Sequence, residues 1–246
     1  SGDTIILGGG QYPIATDVEI FTKVILIGTG IRPDSAAAYG TRTAITGNVN
    51  TDILIKDGAD GTEFHGIATE DFGTIRFGDG TTLGGTDVDD CRFVRCHFEG
   101  LQLGNSVNGS LANNTQITEC IIELLNVSNA PGTYVSNSVV QTLNTSNATA
   151  NTQVLNCILL GGIPTGNEGV HYENCVFATS LTAPVTIIEA SSYINNLFVG
   201  NGGGFSINAG PNVEAWVDNL SETILSGASG AFVNVANVSA YNFAFD

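Results

Sequence analysis

The side chains best suited to chemistry in this sequence are carboxylates. Asp87, Asp89 and Asp90 fall within four positions, and Arg92, Arg95, His97, Glu99, Glu119 and Glu123 follow. A glycosidase needs two carboxyl groups across the scissile bond, about 5 Å or about 6.5–9.5 Å apart according to mechanism. Asp87, Asp89 or Asp90 as acid or base, with Glu119 as a further carboxylate and His97 assisting, is the catalytic set this region offers. The competing reading is an Arg95–Glu119 surface ion pair beside a solvated acidic loop, and it is preferred. The chain holds no Ser-His-Asp order, nucleotide-binding loop or HExxH. Its five cysteines form no CxxC pair and no metal-ligand spacing, so neither a disulfide framework nor a zinc site is expected.

Composition narrows the partners. The formal net charge is −17, and all seven basic residues lie in the first 95 positions, from Lys23 to Arg95. Nucleic acid and anionic membranes both require cations against phosphate, so these classes are excluded. No apolar run is long enough to span a bilayer, and the opening SGDTIILGGG does not read as a signal peptide. Charged residues are 13% and Gly is 31 of 246, a balance that favours strands joined by tight turns over helices.

The elements that must position these residues come from an internal repeat. From residue 90 onward the segments CRFVRCHF, QITECII, TYVSNSVV, QVLNCILL, HYENCVF, YINNLFV, WVDNLSE and NVANVSA share one pattern. Its third position is Arg95, Glu119, Asn137, Asn156, Asn174, Asn196, Asn219 and Asn237, with Gly66 in an earlier copy, EFHGIA. Inward residues alternate along a strand, and the alternation changes phase at this position. Two strands therefore meet there at a short bend, and Asn and Gly are the residues that best tolerate a left-handed backbone. This predicts an all-β chain, a single domain over 1–246, wound as a parallel solenoid of roughly ten coils.

An Asn ladder at a short bend between the second and third strands of each coil resembles the pectate lyase superfamily of right-handed parallel β-helices. The stretches GDTIILGGGQYPI and VILIGTGIRP resemble its first coil. The resemblance spans nearly the whole chain. It implies the right-handed fold and leaves activity open, because that superfamily includes lyases, hydrolases, phage tailspikes and non-catalytic surface proteins. A lyase of this kind would need a base and cations, often Ca²⁺, against a uronate carboxylate. Asp87–Asp90 offers hard oxygen ligands to Ca²⁺ without an EF-hand spacing, but an acidic chain repels a polyuronate, so hydrolase ranks above lyase. Segments 35–47, 78–90 and 103–114 read as protruding loops, and the expected N-terminal capping helix is not visible. Both ends would expose sheet edges unless covered, which suggests a fragment or an assembly component.

The phase assigns faces. Cys96, Cys120, Ser138, Cys157, Cys175, Leu197, Leu220 and Val238 point inward, followed by Phe98, Ile122, Val140, Leu159, Phe177 and Val199. Outward in the third strand are His97 and an apolar row, Ile121, Val139, Ile158, Val176 and Phe198, which needs a cover. Packing into a homo-oligomer, a trimer as in the tailspikes that the chain resembles, would provide it. Outward in the second strand are Arg92, Gln116, Tyr134, Gln153, His171, Tyr193, Trp216 and Asn234. Rings and amides at Tyr134, Gln153, His171, Tyr193 and Trp216 suit contact with a polysaccharide lying along the axis. The function expected is a non-catalytic structural or adhesive β-helix, extracellular, either in a virion appendage or secreted to a cell surface. The alternative is a polysaccharide-degrading enzyme with its acids between 87 and 123.

Overall fold

The structure is a computed structural model and describes residues 2–30, 42–77, 87–104, 111–145, 151–161, 169–179, 185–187, 191–200, 206–209, 215–217, 219–221, 224–227 and 236–237. Among these, 29 strands occur, β1 to β29 in chain order, every pairing is parallel, and no helix is present. The chain is a parallel β-solenoid. One sheet stacks ten strands, β1 (Asp3–Ile6), β4 (Val24–Ile27), β7 (Glu63–His65), β11 (Arg92–Val94), β14 (Gln116–Thr118), β16 (Tyr134–Ser136), β18 (Thr152–Leu155), β20 (Val170–Glu173), β23 (Ser192–Ile194) and β26 (Ala215–Val217). A second runs alongside it through β12 (His97–Gln102), β15 (Ile121–Asn126), β17 (Val139–Asn144), β19 (Ile158–Leu159), β21 (Val176–Thr179), β24 (Leu197–Gly200) and β27 (Leu220–Ser221). About seven coils carry the complete motif of two strands joined across a left-handed residue. The expectation of roughly ten coils is therefore slightly high, although ten strands stack in the first sheet.

The bend residues are Gly66, Arg95, Glu119, Asn137, Asn156, Asn174 and Asn195, all with φ between 51° and 63°. Five of the expected Asn, Arg and Glu positions are therefore correct, together with Gly66. The sixth shifts by one residue: Asn195, not Asn196, is left-handed. Its Nδ2 donates to Oδ1 of Asn174 at 2.6 Å, so neighbouring bends are linked along the axis.

Asn196 belongs instead to a second ladder, inside the coil. After four of the bends the next residue turns its backbone N–H into the core, where it needs an acceptor. The side chain one coil on supplies it. Cys96 N–H donates to Cys120 Sγ at 3.4 Å and Cys120 N–H to Ser138 Oγ at 3.0 Å. Cys175 N–H donates to Asn196 Oδ1 at 2.8 Å, and Asn196 N–H to Asn219 Oδ1 at 2.9 Å. The inward cysteines are thus small polar rungs. Burial raises the Cys91 thiol to about 12 and pushes Cys96 above its ordinary value.

The core fills the space between the sheets with rows in register. Phe64, Phe93, Ile117, Val135, Val154, Tyr172 and Tyr193 form one row, all with at most 0% exposure. Phe98, Ile122, Val140, Leu159, Phe177 and Phe198 form the other. Tyr172 and Tyr193 stack at 4.9 Å, and Phe177 and Phe198 at 4.7 Å.

The one-residue shift corrects several facings. Tyr193 and Phe198, expected outward, are buried. Leu197 and Val199, expected inward, are half-buried on the outer side, where Leu197 pairs with Val176 and Val199 with Ala178. Trp216 stands in register with Tyr193, and Leu220 with Leu197. Asn237 pairs with Ser221 and so stands in register with Phe198, three residues past the Asn195 bend. A slip of one residue exchanges inward and outward sets because the side-chain period is two, and Asn195-Asn196 offers two adjacent residues that could each occupy the bend. Val238 and Asn234 lie outside the described residues. So do residues 35–41, 78–86 and 105–110 of the expected loops. The remaining parts of those loops include strand β5 (Thr43–Thr46), β10 (Asp87–Asp89) and β13 (Leu111–Asn113).

Candidate functional site

The acidic cluster sits on a short third sheet. In β10, Val88 is buried while Asp87 is exposed and Asp89 half-buried, the alternation of a strand with one solvated face. Strand β13 pairs with it, Asp87 opposite Leu111 and Asp89 opposite Asn113. The Asn113 amide donates to Asp87 Oδ1 at 2.9 Å and to Asp89 Oδ1 at 2.6 Å. Asp89 N–H donates to Asp60 Oδ1 at 2.8 Å. Asp90 turns the chain out of the strand at φ 57°, and the Asn114 amide reaches its Oδ1 at 3.4 Å. Partial desolvation, then the Asp89 and Asp60 charges, push the Asp87 carboxyl above its ordinary value, against the Asn113 hydrogen bond. Among the described residues, no three His, Cys, Asp or Glu side chains are grouped to hold a metal ion.

The other catalytic candidates stand elsewhere on the coil. Glu119 occupies the bend between β14 (Gln116–Thr118) and β15 (Ile121–Asn126), at φ 56°. Arg95 Nε donates to Glu119 Oε2 at 2.6 Å, with side chains 71% and 46% exposed. That hydrogen bond and the Glu119 charge raise the Arg95 guanidinium further. His97 opens β12 (His97–Gln102) on the outer face of the second sheet. Burial holds its imidazole below the ordinary value, helped by Arg42 and opposed by Glu123 and Glu99. Asp87–Asp90, Glu119 and His97 stand on three different elements: strand β10 with the turn that follows it, a bend, and strand β12. Neither Asn113 nor Asp60 was expected to organise the aspartates; only the register of β10 with β13 brings Asn113 there.

The two outer rows are more coherent. On the second sheet Ile121, Val139, Ile158, Val176 and Leu197 stand in register, one per coil. Ile158 is 41% exposed and the others half-buried. Beside them Leu160, Ala178 and Val199 are also solvent-facing, and Leu160 is 48% exposed. From Gln141 onward this described face carries no charge.

On the first sheet the outer row is Tyr134, Gln153, His171 and Ser192, continued in register by Ala215. Tyr134 is 37% exposed. The five-residue glycan row expected from the sequence thus keeps Tyr134, Gln153 and His171, while Tyr193 leaves it for the core. His171 Nε2 lies 3.1 Å from Glu173 Oε2. An open groove of about 310 Å³ crosses these coils, lined by Asn151, Thr152, Gln153, Gly169, Val170, His171 and Ser192.

No protein-family profile matches the sequence, and no curated protein matches it. Among solved structures the chain is similar to ORF18 of Geobacillus virus E2, with a TM-score of 0.42 and 13% identity. The alignment covers 96% of this chain and 52% of that one, so the chain spans about half the length of that protein.

Proposed function

We propose that this chain is a non-catalytic structural β-solenoid of the pectate lyase-like, right-handed kind, working outside the cell in an assembly such as a virion appendage or a surface fibre. Its subunits join side by side through the outer face of the second sheet. The observation that carries this reading is the in-register row Ile121, Val139, Ile158, Val176 and Leu197, flanked by Leu160, Ala178 and Val199. An apolar strip this long on a solvated sheet favours association. The occupant is a second copy of the chain. A chain of net charge −17 repels its own copies over most of its surface, and the part of the strip from Val139 onward, past the exposed Glu123, is where copies can meet without burying a carboxylate. Three copies packed around a common axis parallel to the solenoid would each cover one strip. The catalytic alternative needs two carboxyl groups at one bond; Asp87 and Asp89 do come together, but both are bonded to the one Asn113 amide, and this mutual hydrogen bonding favours a structural role for the pair.

Light scattering on the intact chain and on Val139→Asp/Val176→Asp tests the reading. The expected result is a trimer that the double substitution converts to folded monomers, with β-structure retained by circular dichroism. A monomeric parent, or an oligomer indifferent to the substitutions, sinks it.

A further inference from the structure

We propose that the groove across β18 (Thr152–Leu155), β20 (Val170–Glu173) and β23 (Ser192–Ile194) is a binding site for an extended, uncharged oligosaccharide. The site goes beyond the assembly reading and does not depend on it, because it lies on the first sheet and the apolar strip on the second.

Four observations carry the inference. The groove is open and about 310 Å³, the shape for a polymer segment rather than an enclosed small molecule. Its lining is amide, hydroxyl and imidazole: Asn151, Gln153, Thr152, Ser192 and His171. The amides of Asn151 and Gln153 are exposed, and neither makes a hydrogen bond among the described residues. Gly169, at φ 74°, puts no side chain between the coils and keeps the floor open.

The spacing matches a repeating ligand. Tyr134, Gln153, His171 and Ser192 occupy one register position on four consecutive coils, so they recur about every 4.8 Å. A glycan chain presents ring faces and hydroxyl groups at a comparable repeat. The exposed Tyr134 ring offers a stacking surface next to the Gln153 amide. With Nε2–H of His171 directed to Glu173, Nδ1 is left to accept a hydroxyl proton.

Other ligand classes fit less well. A peptide adding as a strand needs an open sheet edge, but β18 and β20 are paired on both sides. A uronate or sulfated polymer needs cations, and no Lys or Arg occurs after Arg95, whereas the carboxylate of Glu173 is bonded to the lining residue His171.

Isothermal titration of the whole chain with cellohexaose, xylohexaose, maltohexaose, chitohexaose and hexagalacturonate is the test. Binding of at least one neutral oligomer is expected, with hexagalacturonate weaker than that oligomer. Gln153→Ala and His171→Ala should each weaken it about tenfold, as the loss of one hydrogen bond does, with melting temperatures unchanged. Three outcomes would each overturn the assignment: no neutral oligomer binds, hexagalacturonate binds best, or the two folded variants bind like the parent. The association state measured by light scattering is a separate readout, so either proposal can fail alone.

Discussion

The left-handed residue of each coil decides which side chains enter the core, and Gly and Asn serve it for different reasons. At Asn156, φ is 55° and the side chain is exposed. A β-branched residue there bears the cost of a left-handed L-residue, about 1–2 kcal/mol, whereas Gly bears none. Asn156→Val is expected to lower stability by that amount in urea unfolding, and Asn156→Gly to change it by less than about 1 kcal/mol. Gly66 is not interchangeable with Asn, although φ 63° would suit it. A Cβ there would stand 2.8 Å from the Gly30 backbone. Gly66→Asn should therefore cost about 1–3 kcal/mol, the range for overpacking. Equal tolerance of Asn at both sites would contradict this account.

At the scale of the strand pair, the interior ladder makes the bend-following residue a polar structural element rather than a spare core position. Asn196 accepts from Cys175 N–H at 2.8 Å and donates from Nδ2 to the Tyr172 carbonyl at 3.1 Å, while almost fully buried. Removing it strands a buried donor and a buried acceptor, each worth about 1–3 kcal/mol. Asn196→Ala should therefore destabilise well beyond Asn195→Gly, which relaxes an exposed left-handed residue and gives up only a solvent-exposed amide hydrogen bond to Asn174. If the two substitutions proved equivalent in thermal unfolding, the bend would not be where these hydrogen bonds put it. The slip between Asn195 and Asn196 also shows what a repeat can hide. Cys120, Cys157 and Cys175 follow their bends unambiguously, but an Asn-Asn pair satisfies the pattern in two phases. Large buried rings settle it: Tyr193 and Phe198 both gain stacking partners only in the observed phase.

For the molecule as a whole, winding brings distant acids together. Asp57, Asp60, Asp87 and Asp89 are separated in sequence but act on one another across stacked coils. The Asp87 carboxyl is raised in the folded chain, so the fold holds its proton more tightly than the unfolded chain does. The stability deficit from its charge is therefore present at neutral pH and disappears as pH falls below the ordinary aspartate value. Asp87→Asn should raise stability slightly at neutral pH, by under about 0.5 kcal/mol because the site is screened, and so raise the melting temperature a little. The gain should shrink in acid and at high salt. A gain that grew as pH fell would show the opposite sign of coupling.

By itself the sequence determined that this is a parallel β-solenoid, where most bends fall, and which cysteines, isoleucines and phenylalanines form the core from Cys96 to Phe177. A strand has a side-chain period of two and a bend demands a special backbone, so both leave marks in neighbouring residues. Tertiary structure decided what local marks do not encode. It chose Asn195 over Asn196, moved Tyr193 and Phe198 from the surface to the core, and placed Asn113 between two aspartates. It also opened the groove between Gln153 and His171. Each of these depends on which residue of one coil lies against which residue of the next, and that register is fixed by packing and hydrogen bonding between segments about twenty residues apart.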